Sequence, residues 1–309
     1  MNVLVRPLYR EDLAEADRIF RIAFGTFLAL PNPAEFAGTA DYIRTRWTAD
    51  PSAAFGAQLN KELVGSNLAT KWGSVAFFGP LTVRPEYWNK GVATRLMEPT
   101  LDLFAKWTST HEGLFTFAHS PKHIAFYQRF GFWPRFLTAI MSKPVEPARR
   151  ARGLSGYAEI PEGQRAECLR ACRELTDGIY EGLDLEREIR AVEAQRLGDT
   201  VLLWEAARLA AFGVCHCGPG TEAGSDSCYV KFGAARSESS FDALLEACEN
   251  LAAAKRLSLL VAGVNAGRQK AFQQMMARGF RIQFQGVAMQ RHNDPGYNRP
   301  DAYLIDDWR

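Results

Sequence analysis

The sequence predicts an α/β chain in which one folding unit is written twice, and three observations predict it. Leu81 to Met97, LTVRPEYWNKGVATRLM, passes from apolar strand residues through Gly91 into a helical period. Leu114 to Ala118 reads as another strand, followed by a helix that closes on Gly131-Phe132. Gly279-Phe280 repeats that closing pair at an offset of 148 residues (279 − 131), and the elements before it match in order.

In the first half, Val3 to Pro7 reads as a strand. Asp12 is placed to cap the next helix with Glu15 three residues on, and Leu13, Ala16, Phe20, Ala23, Phe24 and Phe27 form its apolar stripe. A second helix is expected around Tyr42 to Trp47. Ala54 to Leu59 and Leu63 to Ala69 read as a hairpin about Asn60-Lys61. Val75 to Phe78, Leu81 and Val83 supply one long strand, which Pro85 ends. From Val92 the positions Val92, Leu96, Leu103 and Trp107 follow a helical period, with a kink or weakening expected at Pro99.

A strand that enters a helix through a glycine makes an anion site. The first amides of a helix have no partner inside it and carry the positive end of its dipole, and Gly91 and Ala93 allow close approach. The run Trp88-Asn89-Lys90-Gly91-Val92-Ala93 resembles the R/Q-x-x-G-x-G/A loop of the GNAT superfamily of N-acetyltransferases. Trp88 stands where that family has Arg or Gln, so the backbone amides carry the site, with Lys90 adding positive charge. A second motif, Ser120-Pro-Lys-His-Ile-Ala-Phe-Tyr-Gln-Arg-Phe-Gly-Phe132, is similar to the family's N-x-x-A-x-x-x-Y-x-x-x-G-F helix. Ser120 replaces the Asn and His123 the Ala; Tyr127 and Gly131 keep the pattern.

The resemblance implies tandem acyl-CoA N-acyltransferase folds, each a mixed, mostly antiparallel sheet with flanking helices. It implies acetyl-CoA as cosubstrate, bound by Leu81, Thr82, Val83, Trp88, Asn89, Lys90, Gly91, Val92, Ala93 and Ser120. It also implies Tyr127 as the general acid that protonates the departing thiolate, and a backbone N–H near Leu81 to Val83 facing the oxyanion. The strand segment from Lys71 to Arg84 contains no Asp or Glu, where many family members carry a glutamate. His119, at the end of the strand before Tyr127, is the first candidate for the base, ahead of His123, because an imidazole titrates near neutral pH. Each also reads as an ordinary surface or structural histidine.

The second half follows Val145 to Gly156, a charged Pro/Gly/Arg-rich linker by composition. Domains are expected at 1–146 and 157–309. Thr200 to Cys217 has a hairpin pattern about Glu205-Ala206-Ala207. Ser227 to Ala234 reads as a strand, Ser239 to Lys255 as a helix and Leu257 to Val264 as a strand. This copy has lost the chemistry. Ala234 to Ser240 holds no glycine and sets Glu238 against a pyrophosphate, while Met275 stands where a proton donor is needed.

Bulk properties narrow the function classes. A net charge of +2 over 309 residues, with no long basic run, argues against a nucleic-acid binder. The N-terminus MNVLVRPLYRED reads as neither a signal peptide nor a membrane span. All six cysteines fall in the second half without C-x-x-C spacing. Cys215 and Cys217 share a strand face with Cys228 as a possible neighbour, a metal-site arrangement, but buried thiols as small hydrophobes are the expectation, and no metal is expected. The reading is a cytoplasmic acetyltransferase acting on a small-molecule amine, as a monomer or homodimer, with no membrane or nucleic-acid partner. A non-catalytic acyl-CoA sensor, or a transferase using another acyl donor, fits the same motifs. The aromatics Phe24, Phe27, Tyr42 and Trp47 lie nearest the acceptor region and also read as core.

Overall fold

The computed structural model describes residues 2–146 and 154–309. The expected linker lies mostly outside the described residues. The first half runs β1 (Leu4–Pro7), α1 (Leu13–Phe27), α2 (Tyr42–Ala49), β2 (Ala54–Leu59), β3 (Glu62–Trp72), β4 (Val75–Phe78), β5 (Thr82–Val83), α3 (Val92–Lys106), β6 (His111–Phe117), α4 (Pro121–Gln128) and β7 (Phe132–Pro144). The second runs β8 (Leu154–Gly156), α5 (Glu162–Asp177), α6 (Glu186–Gln195), β9 (Gly198–Glu205), β10 (Arg208–Cys217), β11 (Ser227–Ala235), α7 (Glu238–Ala254), β12 (Leu259–Asn265), α8 (Gln269–Ala277), β13 (Arg281–Arg291) and β14 (Leu304–Ile305). Apart from the short β5 and β14, the order of elements in the first half is repeated in the second.

Several elements form for the reasons their residues suggest. Asn60 and Lys61 both take positive φ, the backbone a two-residue hairpin turn requires. Ala206 does the same between β9 and β10. Asp41 caps α2 by accepting the Arg44 N–H at 2.9 Å. α3 runs through Pro99 without interruption.

Three local expectations are corrected. Asp12 does not cap α1: its carboxylate accepts from Arg6 at 2.6 and 2.9 Å and from the Tyr9 N–H at 2.8 Å, holding the 3₁₀ turn before the helix. The long strand from Val75 to Val83 is two strands, since Gly79-Pro80 breaks it. β4 pairs with β3 and β6, whereas β5 pairs with β3 only. β5 lies so close to β3 that a Cβ on Gly65 would stand 2.6 Å from the Thr82 carbonyl oxygen. Finally, Leu154–Gly156, assigned to the linker, is strand β8 and pairs with β9.

The halves share one sheet of mixed, mostly antiparallel strands, in the order β1-β2-β3-β4-β6-β13-β7-β12-β11-β10-β9-β8. Among the described residues only β4 with β6 and β11 with β12 are parallel. The last long strand of each half crosses to the other. β13 is inserted between β6 and β7, with Val287 opposite Thr116 and Gln290 opposite Trp133. β7 in turn lies beside β12, with Val261 opposite Ser142. The cores cross the boundary as well. Trp72 of β3 packs on Phe232 of β11, ring centroids 5.4 Å apart, and the tail after β13 brings Trp308 onto Phe77 at 5.9 Å. Gly113 leaves room for that indole, since a Cβ there would meet it at 2.1 Å.

Buried charges also join the halves. Arg46 of α2 binds Glu222 at 2.8 Å, Glu222 binds Lys231 at 2.8 Å, and Lys231 binds Glu188 at 2.8 Å. Burial pushes the Glu188 carboxyl up, but Lys231 and His216 outweigh it and hold it at about 2. Glu222 is likewise held well below the usual carboxylate range, by Arg46 and Lys231 against the effect of burial. A carboxyl lowered in the fold stabilises fully above its unfolded value near 4.5 and loses that contribution as pH falls through its folded value. Arg46→Ala is therefore expected to cost about 3 to 5 kcal/mol at neutral pH, because it leaves Glu222 under-compensated in the interior. It should also shift acid unfolding to higher pH. Urea melts and a pH titration followed by circular dichroism measure both; an unchanged urea midpoint would remove the network from the account of stability.

Candidate active site

The glycine turn is built as an anion cradle. After the 3₁₀ turn Pro85–Tyr87, Asn89 and Gly91 take φ of 61° and 82°, and α3 begins at Val92. The first intrahelical bond runs from the Arg95 N–H to the Gly91 carbonyl, so the N–H groups of Val92, Ala93 and Thr94 precede the ladder. A Cβ on Gly91 would meet no heavy atom within 4 Å, and Gly91, Val92, Ala93 and Thr94 all border a cavity. Trp88 fixes the loop in place of a charged contact. Its indole N–H donates to the Val83 carbonyl at 2.7 Å, and Lys122 sits 5.5 Å from its ring.

Leu81, Thr82, Val83, Trp88, Asn89, Gly91, Val92 and Ala93 line one cavity of about 1110 Å³, and so does Tyr127. Lys90 and Ser120 are not among its walls. Lys90 stacks over Tyr87 at 5.4 Å, and Ser120 is buried as the cap of α4, accepting the His123 N–H at 3.3 Å. His119 stands exposed at the end of β6, whereas His123 faces the cavity.

Tyr127 is 9% exposed and packs against Phe78 and Phe126. Its hydroxyl has no hydrogen-bond partner among the described residues. Burial pushes the phenol well above its ordinary value, so it stays protonated at neutral pH and able to donate. His123 lies one helical turn before it, on the same face of α4. Burial, then Lys122 and His119, hold the imidazole below its ordinary value, so it is neutral at pH 7 and able to accept. One wall of the cavity therefore presents a proton donor and a proton acceptor.

The rest of the cavity belongs to neither motif. Glu222, Tyr229, Val261, Phe284 and Trp308 reach it from the second half. The sequence reading missed these, since Glu222 sits in a glycine-punctuated loop that reads as solvent-exposed and Trp308 follows β13 in a tail with no periodic signal. The loop of Glu222 is clasped onto the first half, the Asp41 N–H donating to the Thr221 carbonyl and the Gly220 N–H to Thr39, each at 2.9 Å.

At the matching turn of the second half, the helix start is closed by its own serines. Ser237 accepts from the Ser240 N–H at 3.2 Å, and Ser240 accepts from the Ser237 N–H at 3.0 Å. Met275 is fully buried in the core. Cys215 and Cys248 lie 3.8 Å apart and Cys217 and Cys228 3.7 Å apart as free thiols. Among the described residues no group of three or more His, Cys, Asp or Glu is placed to hold a metal, and no helix is long and apolar enough to cross a membrane.

Comparison with known proteins bears on the first half and on the fold. Residues 17–132 match the profile of the Acetyltransferase (GNAT) family, a span that contains the cradle, Tyr127 and the strands between them. Residues 17–132 of the first half are thus a GNAT-family segment, and the rest of the chain lies outside that match. A putative acetyltransferase from Pyrococcus horikoshii is similar over 99% of this chain and 95% of its own, with a TM-score of 0.73 at 16% identity. A GCN5-related N-acetyltransferase from Sphaerobacter thermophilus is similar over 95% and 96%, with a TM-score of 0.61 at 14% identity. One from Anabaena variabilis covers 94% of this chain and 72% of its own, at 0.54 and 12%. At these identities the likeness is one of fold. No curated protein matches the sequence at a significant level.

Proposed function

We propose that this protein transfers the acetyl group of acetyl-CoA to the amine of a small molecule, and that its second half is a degenerate copy of the first that walls the cavity. The observation that carries the reading is the meeting of the anion cradle and Tyr127 in one cavity. The cradle fits an anionic pyrophosphate, since the three amides that precede the helix ladder border the cavity beside a glycine with no Cβ. Acetyl-CoA supplies an acetyl group activated as a thioester. The N–H groups of Val92, Ala93 and Thr94 would hold its phosphates, and Leu81, Thr82 and Val83 would flank its arm. His123 accepts the proton that the attacking amine gives up, and Tyr127 gives its phenolic proton to the leaving sulfur. The free thiols fit a reducing, cytoplasmic setting.

Calorimetry tests the cofactor assignment. Acetyl-CoA is expected to bind one site per chain with roughly micromolar affinity, about 8 kcal/mol. Gly91→Glu should abolish binding, because the side chain and its charge enter the cradle and the positive φ strains any residue with a Cβ. Two equal sites per chain, or unchanged binding by the variant, would overturn the assignment. Thiol release with an amine, compared with binding that yields no release, separates an enzyme from an acyl-CoA sensor.

A further inference from the structure

We infer that the acceptor is a monoamine with an aromatic body, and not a polyamine, an aminoglycoside or a lysine-rich protein tail; this rests on the transferase reading above. Beyond Tyr127 the cavity is walled by an unbroken chain of rings that crosses from one half to the other. Tyr42 packs on Phe20 at 5.6 Å, Phe20 on Phe24 at 5.2 Å, Phe24 on Phe117 at 5.7 Å, and Phe117 on Phe284 at 5.6 Å. Such a wall rewards an aromatic ligand by its area and by offset or edge-on ring contacts.

Charge excludes the alternatives. Among the described residues of the wall Glu222 is the only carboxylate side chain, and that side chain is 0% exposed, its oxygens held by Arg46 and Lys231. Lys122 and Arg129 add positive charge there, while Arg309 is paired with Asp307 at 3.4 Å. Among the described residues of the wall a polycation meets Lys122 and Arg129 and no carboxylate free to pair with it, so each extra ammonium carries an uncompensated desolvation cost. A single ammonium is affected differently. Apolar walls and neighbouring cations favour its neutral form, which is the form that attacks a thioester. The volume of about 1110 Å³ exceeds the usual range for one small ligand and leaves room for an aromatic acceptor beside a cofactor arm.

The test is a kinetic panel of acetyl-CoA with phenethylamine, methylamine, spermidine and kanamycin, together with calorimetry of phenethylamine into the protein with and without CoA. Phenethylamine is expected to exceed spermidine and methylamine in kcat/KM by about 100-fold or more. Phe24→Leu and Phe284→Leu, one from each half, should each raise KM for phenethylamine about tenfold with acetyl-CoA affinity nearly unchanged. Preference for spermidine or kanamycin, or equal use of methylamine and phenethylamine, overturns the inference. So does a flat acceptor profile with phenylacetyl-CoA preferred over acetyl-CoA, which would give the aromatic lobe to the acyl chain. Binding of phenethylamine without thiol release from any amine would support the recognition and overturn the transferase reading. No binding and no turnover of phenethylamine would overturn the recognition itself.

Discussion

Tyr127→Phe is expected to slow turnover by roughly 10² to 10⁴ while acetyl-CoA affinity stays nearly unchanged, the range for loss of a positioned general acid. The reason is local. The ring is held by Phe78 and Phe126, and the hydroxyl makes no hydrogen bond within the described structure, so its removal breaks no internal contact. Burial holds the phenol in its protonated form, so the hydroxyl keeps the proton that the proposed step requires. Turnover, CoA binding and melting temperature measured on one preparation divide the explanations. A loss of stability large enough to account for the rate would make Tyr127 a core residue, and full activity with normal binding would mean that another group protonates the sulfur. His123→Gln, prepared beside it, should remove the acid limb of the pH–rate profile: the imidazole accepts a proton only above its pKa, which burial lowers, so the wild-type rate rises with pH and levels off below the ordinary histidine range. An unchanged limb would leave the base elsewhere.

The second large effect is expected from cutting the chain after residue 146. The fragment 1–146 loses β13, and with it the strand between β6 and β7. Leu114, Phe132, Phe78 and Met97 lose Val287 and Met289 from their shared core, and one edge of β6 and both edges of β7 lose their partners. Unpaired edges beside uncovered apolar surface aggregate. The fragment should be insoluble or loosely packed, with no acetyl-CoA binding by calorimetry. Co-expression with a 154–309 fragment should restore solubility and binding together. A soluble, monomeric and fully active 1–146 would show that the shared sheet is dispensable to the first half.

Both experiments probe the division between what was legible in the chain and what was not. The cradle was legible because it is local: Gly91 and the apolar period from Val92 lie within a few residues, and helix geometry does the rest. Tyr127 was legible through its motif on one short helix. The placement of His123 beside it was available in the same way, since residues four apart share a helix face. His119 was chosen for its position at a strand end, where the sequence says nothing of which way a side chain turns, and the fold turns it to solvent. Asp12 had the spacing of a cap, but Arg6 bound it first, a contact across six residues that no helix rule contains.

The sequence by itself determined the repeat of elements, the glycine turn with its free amides, the helix that carries Tyr127, and the loss of these features in the second copy. Each follows from backbone preferences and side-chain periods within some fifteen residues, a typical helix length. Only the tertiary structure decided that β7 and β13 change places between halves, that Glu222 is buried against Arg46, and that aromatic rings from both halves form one wall. Strand pairing is made by backbone groups that every residue carries, so β7 and β13 offer the same alternation to either edge. The choice between edges is settled by which cores the exchanged side chains complete, and that comparison exists only once both halves are folded.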